Sequence, residues 1–198
     1  RYFPWVLAAS AWLVFSFLSL ARLHDLGLPQ DLGHYLQALH LLENGVAPQI
    51  TDFGMNLFAM QAAFLFVPII WLTQLFPPAE TMMILQALPL ALALVPLWRI
   101  TRHSGNLRIG AAGALVAAYF FHPSVQNLNL AGFHPEVFAL PALLAAYLQG
   151  QKERWWAVSL LAFVVVAARS DLGLAVMALG LVFVGEERRN PGWFLASF

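Results

Sequence analysis

The chain has no cysteine, so neither disulfides nor thiolate chemistry can contribute to its fold or function. Charge is almost as scarce. Charged residues make up 10% of the sequence and hydrophobic ones 61%, whereas about a quarter of a soluble domain is charged. Ten basic and ten acidic residues cancel, and without a basic excess nothing points to nucleic acid. A glycine-rich phosphate loop, a GxSxG elbow and an HExxH helix are all missing, which removes common signatures of nucleotide, serine-hydrolase and zinc-protease chemistry.

Apolar sequence is abundant. Runs lie at about 3–21, 56–76, 79–98, 109–121, 136–149, 155–168 and 172–184, and several approach the ~17–25 residues that cross a bilayer core. The expected fold class is all-α, a polytopic transmembrane helix bundle. The first run lacks a small-residue cleavage site and reads as an uncleaved helix rather than a signal peptide. A further apolar run begins in "RRNPGWFLASF", so 1–198 is expected to be a single membrane domain, the N-terminal part of a longer chain.

Seven crossings distribute the basic residues badly, because short-loop Lys and Arg should gather on the cytoplasmic side. Six crossings repair this, with "NLFAMQAAFLFVPIIWLTQLF" (56–76) lying along the outer face. Arg1, Arg99, Arg102, Arg108, Lys152, Arg154, Arg188 and Arg189 then share the inner side with the N-terminus. Pro68 and Pro77-Pro78 also suit a broken, peripheral helix. A plain seventh span is the alternative. The outer side collects Asp25, Asp31, Glu43, Asp52, Glu80, Glu136 and Asp171, with His24, His34, His40, His122 and His134.

Several later spans are only 13–15 residues long. Fourteen helical residues rise ~21 Å, less than a ~30 Å hydrocarbon core. Short helices of this kind suit a water-filled recess, expected near "HPSVQNLNLAGFHPE" and "RSD".

Residues 31–44, "DLGHYLQALHLLEN", read as an amphipathic interfacial helix. Leu32, Tyr35, Leu36, Leu39 and Leu42 share one face, and His34, Gln37, His40 and Asn44 the other. Asp31 is either its N-cap or a general base at the cavity mouth, and Gly45 its stop. Asp25 carries the same ambiguity, with Arg22 as a candidate ion-pair partner. In "GFHPEVF", Glu136 either complements a helix dipole or joins His134 in binding a sugar or phosphate. In "ARSDLGL", Arg169 is the natural partner for a phosphate or for Asp171. Outer histidines and acids could hold a divalent metal, yet no helical i,i+4 His pair supports one, so no cofactor is expected. Trp5, Trp12, Trp71, Trp98, Trp155, Trp156 and Trp193 suit core or interfacial anchors. Gly110 and Gly113 suggest close helix packing.

These stretches carry a resemblance. "DLGHYLQAL", "LQALPLALALVPLWRITR", "GFHPEVFALPALLAAY" and "ARSDLGL" together resemble an uncharacterised family of bacterial polytopic membrane proteins, a domain of unknown function, related to the GT-C class of glycosyltransferases. The resemblance implies a GT-C-like N-terminal part with interfacial helices in its first outer loop, in the bacterial inner membrane. It implies transfer of a sugar from a polyprenyl-phosphate carrier to an acceptor on the outer face. Asp31 matches the loop acid of that class, His134 and Glu136 its FHPE, and Arg169 and Asp171 a Lys-Glu-Asp triplet. Ser170 stands where the family has glutamate. "TDFGMNLF" replaces its His-Phe-Ser-Pro, with Asp52 substituting in part.

Three functions follow as expectations. The first is a lipid-carrier-dependent glycosyltransferase, with Asp31 and Asp25 as catalytic candidates and His134, Glu136, Arg169, Asp171 and His34 as substrate-binding ones. Its partners would be a lipid-linked sugar donor and membrane lipids. The second is a non-catalytic subunit packed against other membrane proteins, and the third a transporter of lipid-linked intermediates.

Overall fold

The computed structural model describes residues 2–61, 64–186 and 189–196, with side chains for all of these except 60, 61, 189, 190, 193 and 194. Arg1 and Arg188 lie outside the described residues, and so do the side chains of Arg189 and Trp193. The fold is all-α and 79% helical.

Among the described residues two helical stretches are long and apolar enough to cross a membrane. Helix α1 (Phe3–Leu26, 24 residues) carries Pro4 in its first turn, where a missing N–H removes no helical bond. It stops at Gly27, whose φ of +78° suits glycine. The second stretch runs from α5 (Pro78–Leu92) through α6 (Leu94–Arg99) into one π-helical turn at Ile100–Ser104. Its α-helical pattern breaks at Ala93, because Pro96 has no N–H to give the Leu92 carbonyl. Trp12 donates its indole N–H to the Ile84 carbonyl at 3.1 Å, which fastens α1 to α5.

Shorter apolar helices complete the body: α7 (Ile109–Phe120), α9 (Ala139–Gln151), α10 (Trp155–Ala168) and α11 (Gly173–Gly185). A short α12 (Arg189–Ala196) packs on α11. Apolar side chains remain exposed on the outer faces, among them Leu13, Phe17, Trp156, Phe163 and Leu174. So much exposed apolar surface suits lipid rather than water.

The amphipathic stretch forms α2 (Gln30–Glu43), burying Leu32, Tyr35, Ala38 and Leu39. Each buried leucine is worth about 1.5–3 kcal/mol, enough to hold the helix against its neighbours. Gly45 follows the end of α2 with φ +69°, as a C-terminal stop requires.

The structure adds two features to these expectations and corrects a third. The run 56–76, read as a broken or peripheral helix, is interrupted. It divides into α3 (Leu57–Gln61) and α4 (Phe66–Thr73), each far too short to cross a bilayer. Between them the Leu65 N–H donates to the Ala167 carbonyl at 3.0 Å, pinning the chain to the end of α10. Residues 49–56, which carried no strand signal, form a small antiparallel hairpin from β1 (Gln49–Ile50) and β2 (Met55–Asn56). Gly110 and Gly113 do not mediate close packing, since a Cβ on either would meet nothing within 4 Å.

The loop 122–131 is itself helical. In α8 (Pro123–Ala131) proline takes the first turn and His122 Nδ1 accepts the Ser124 N–H. Asn129 is buried against α1 and donates to the Phe15 carbonyl at 3.0 Å. This contact aims the following Gly132–Phe138 segment at the start of α2.

Candidate functional site

The start of α2 sets the position of Asp31. Pro29 occupies the N-cap position and Gln30 the first helical one, so Asp31 stands second. Among the described residues no backbone N–H donates to its carboxylate, which corrects the capping role. Its side chain is 52% exposed. Tyr35, one turn further on, shares its face of α2, so the carboxylate stands beside the buried tyrosine in one cavity lining.

Opposite it lies the FHPE segment. A proline-initiated 3-10 turn, Pro135–Phe138, leads into α9. Gln86 of α5 is fully buried and fixes the approach to this turn. Its Nε2 donates toward the carbonyls of Leu128 and Gly132, and its Oε1 accepts the His134 N–H. Phe133 is also fully buried. Its ring meets Tyr35 edge to face at 5.0 Å and Phe66 at 6.2 Å. Tyr35 and Phe133 line the cavity beneath the polar groups, and Phe66 packs behind them.

A connected series of charges then crosses three elements. Asp31 Oδ2 lies 3.7 Å from His134 Nε2, and His134 Nδ1 lies 3.5 Å from Glu136 Oε1. Arg169, in the turn after α10, donates from Nη1 to the same Glu136 oxygen at 3.3 Å. It also grips Asp171 bidentately, at 2.7 Å from Nε and 2.6 Å from Nη2. Three of its five N–H groups are thereby engaged, leaving one on each terminal nitrogen.

These contacts shift the proton affinities. Glu136, at the outer limit of a hydrogen bond, holds His134 above its usual range, while burial acts the other way. For Glu136 burial is the largest influence and raises its affinity for the proton. The contact with His134, backbone hydrogen bonding and the charges of His134 and Arg169 outweigh burial and leave the carboxyl low. Asp171 is lowered chiefly by its hydrogen bonds from Arg169, and Arg169 is raised chiefly by Asp171. Burial, aided by the Glu136 and Asp31 carboxylates, pushes the Tyr35 hydroxyl well up. Tyr35 thus keeps its proton at neutral pH.

A cavity of about 260 Å³ opens among these groups, its polar lining supplied by Asp31, His34, Tyr35, His134, Glu136 and Arg169. His34 belongs to its wall and binds Asp52 across the hairpin, Nε2 to Oδ2 at 2.8 Å. A carboxylate at one ring nitrogen fixes the imidazole's orientation and tautomer. Gln37 hydrogen-bonds Thr51 beside this pair, so the hairpin serves as the cavity's outer rim. Among the described residues no three His, Asp or Glu side chains converge closely enough to hold a metal ion.

The structure therefore brings together six of the residues singled out in the sequence: Asp31, His34, His134, Glu136, Arg169 and Asp171. Asp25 is not among them. It is exposed at the end of α1, outside the cavity lining, and makes no ion pair with Arg22 among the described residues. His24 beside it faces Glu80 at 3.7 Å. Two residues of the site escaped the sequence reading. Tyr35 was counted only in an apolar face, although a tyrosine there brings a hydroxyl with it. Gln86 is a polar group deep in an apolar run, which is itself a signal of function or of a buried partner.

Neither a curated protein nor a solved structure matches the chain. One family does, described as "Predicted membrane protein (DUF2079)", and it matches residues 22–197. That stretch includes the whole cavity lining and agrees with the exposed apolar helices. This chain is a membrane protein belonging to the DUF2079 family of predicted membrane proteins.

Proposed function

We propose that the protein is an integral membrane glycosyltransferase of GT-C-like architecture, moving a sugar from a polyprenyl-phosphate carrier to an acceptor hydroxyl on the outer face of the bacterial inner membrane. One observation carries this reading: the uncapped carboxylate of Asp31 shares a cavity with His134 and the Arg169 guanidinium. The helices cross several times, with the N-terminus and the Arg99, Arg102, Arg108, Lys152 and Arg154 positions cytoplasmic. The cavity then opens outward. Helix α4 lies in the outer interface, where Val67 and Trp71 turn apolar surface outward and a lipid tail can run beside them.

In the reaction Asp31 accepts the acceptor's hydroxyl proton, and the freed oxygen attacks the anomeric carbon. The new glycosidic C–O bond forms as the bond to the carrier phosphate breaks, and the phosphate leaves with the electron pair. Arg169 meets the charge that develops on it through its two remaining N–H groups. Tyr35 and His134 hydrogen-bond sugar hydroxyls. A cavity of about 260 Å³ lies just below the ~300–1,000 Å³ usual for ligand sites, and suits one sugar unit rather than an oligosaccharide.

The test is Asp31→Asn in proteoliposomes supplied with a polyprenyl-phosphate-linked sugar. Loss of a general base lowers the rate on the order of 10²–10⁴-fold. Transfer near the parent rate overturns the assignment. A second reading, a non-catalytic subunit, is favoured by the pairing of Arg169 with two carboxylates of its own chain, Asp171 and Glu136. It predicts that the parent protein transfers no sugar and co-purifies with a membrane partner.

A further inference from the structure

The end of the helices away from the cavity holds a second arrangement. Arg99, Arg102 and His103 line a pocket of about 510 Å³ together with Phe3, Trp98 and Ile109. Arg99 sits over the Trp5 ring at 5.7 Å, and Arg102 donates to the Leu107 carbonyl. Among the described residues none of Arg99, Arg102 and His103 pairs with a carboxylate. The π-helical turn at Ile100–Ser104 carries two of them, and such turns recur at functional sites.

Phe3 and Trp98, whose rings meet at 4.8 Å, also line the pocket's apolar neighbour. This is a groove of about 320 Å³ between α1 and α7, running past Leu7 and Val14 with Gly113 at its side. From Phe3 to Val14 the groove follows eleven residues of α1, roughly 17 Å at the helical rise. That is close to half of a ~30 Å hydrocarbon core, the depth of one leaflet. A helix ~10 Å across and equally long fills on the order of 1,300 Å³, so a partner helix would stand mostly outside this groove. A single hydrocarbon chain fits it.

We propose that this end of the protein binds an anionic phospholipid, with the phosphate on Arg99 and Arg102 and one acyl chain in the groove between α1 and α7. Unpaired guanidiniums beside a membrane attract acidic headgroups and grip phosphate oxygens through several N–H groups. The bare flank of Gly113, where a Cβ would touch nothing within 4 Å, gives the chain room. The site lies in the opposite leaflet from the transferase cavity and stands whether or not sugar transfer occurs.

The experiment uses the full chain in detergent, titrated by native mass spectrometry. The probes are long-chain phosphatidylglycerol, long-chain phosphatidylcholine, short-chain phosphatidylglycerol and inorganic phosphate. Long-chain phosphatidylglycerol should bind on the order of ten-fold tighter than phosphatidylcholine. Arg99→Gln with Arg102→Gln should erase that preference, and the paired change to Lys should retain most of it. Gly113→Leu projects into the groove from a flank where its Cβ would meet nothing within 4 Å, so its thermal stability should stay near the parent's while long-chain binding falls several-fold. Equal affinity for the two headgroups overturns the proposal. Inorganic phosphate competing as well as the lipid would reduce the site to a bare anion site, and unchanged lipid binding by folded Gly113→Leu would place the chain elsewhere. Should the Gln pair fail to fold, the headgroup and chain-length comparisons on the parent decide alone.

Discussion

Gly132 lets Asp31 reach the site: a Cβ on Gly132 would lie 3.1 Å from the Asp31 Cβ and 3.2 Å from the Leu32 nitrogen. Its φ of +143° adds a backbone conformation that side-chain-bearing residues rarely adopt. The start of α2 and the approach to FHPE thus meet at a point where a methyl group would force its neighbours apart by a few tenths of an ångström. Gly132→Ala should destabilise the protein by about 1–3 kcal/mol and push Asp31 away from His134. Thermal unfolding in detergent measures the first effect. The second appears as lost activity, or lost substrate-analogue binding, beyond the stability change. An alanine variant with parent stability would show that the two segments can separate freely.

Gln86 organises the same turn from below without lining the cavity. Gln86→Leu removes the partner of the His134 N–H and of two carbonyls while preserving the bulk of the side chain. Each buried group left unsatisfied costs about 1–3 kcal/mol, so a total of about 2–4 kcal/mol is expected after local relaxation. Gln86→Glu offers a sharper comparison, since a carboxylate can accept from His134 but cannot donate to Gly132. It should be destabilised as well, and proteolysis between α8 and α9 should quicken in both variants. Parent-like protease resistance in Gln86→Leu would mean that the turn holds itself.

The helices were legible where charges bound an apolar run. Helix α10 covers 155–168 as expected because Arg154 and Arg169 close it at both ends, and α11 differs by a single residue at each end. Helix α2 was legible from its alternating faces. In 56–76, Pro68 and Pro77-Pro78 signalled a broken helix, but a run so largely apolar does not record where the break falls. Its break answers to a tertiary bond, Leu65 to Ala167. Helix α8 was hidden by its polar residues: Asn129 is buried against α1 and Gln126 donates to the Phe120 carbonyl, while Ser124 and Asn127 are exposed. In the site, Arg169 and Asp171 were close in sequence and could be paired on paper. That Glu136 would share Arg169 and that Asp52 would cross a hairpin to His34 depended on contacts between distant segments.

His134 and Glu136 make the site's stability pH-dependent. His134 is raised in the folded protein, so its contribution is fully present below the unfolded value near 6.5 and fades as pH climbs through the raised one. Glu136 is lowered, so its contribution is present above the unfolded value near 4.5 and fades as pH falls through the lowered one. The pair is therefore strongest in mildly acidic solution. A double-mutant cycle with His134→Gln and Glu136→Gln should show a coupling of about 1 kcal/mol near pH 5.5. The coupling should shrink by pH 8.5. A coupling that grows with pH would mean that the imidazole binds Glu136 in its neutral form.

Arg169 and Asp171 separate a binding site from a merely closed ion pair. Their side chains are 37% and 55% exposed, and ion pairs open to solvent contribute about 0–1 kcal/mol. Asp171→Asn should therefore leave stability within that range. It also removes a carboxylate that competes with a phosphate for the guanidinium fork. Affinity for a short-chain polyprenyl phosphate, measured by calorimetry in detergent, should stay level or rise. Arg169→Lys keeps the charge but cannot span Glu136 and Asp171 together, and it should weaken the same ligand about ten-fold. If Asp171→Asn instead loses affinity as severely as Arg169→Lys, the acid acts by holding the guanidinium in place. If neither variant changes affinity, the phosphate does not bind at Arg169.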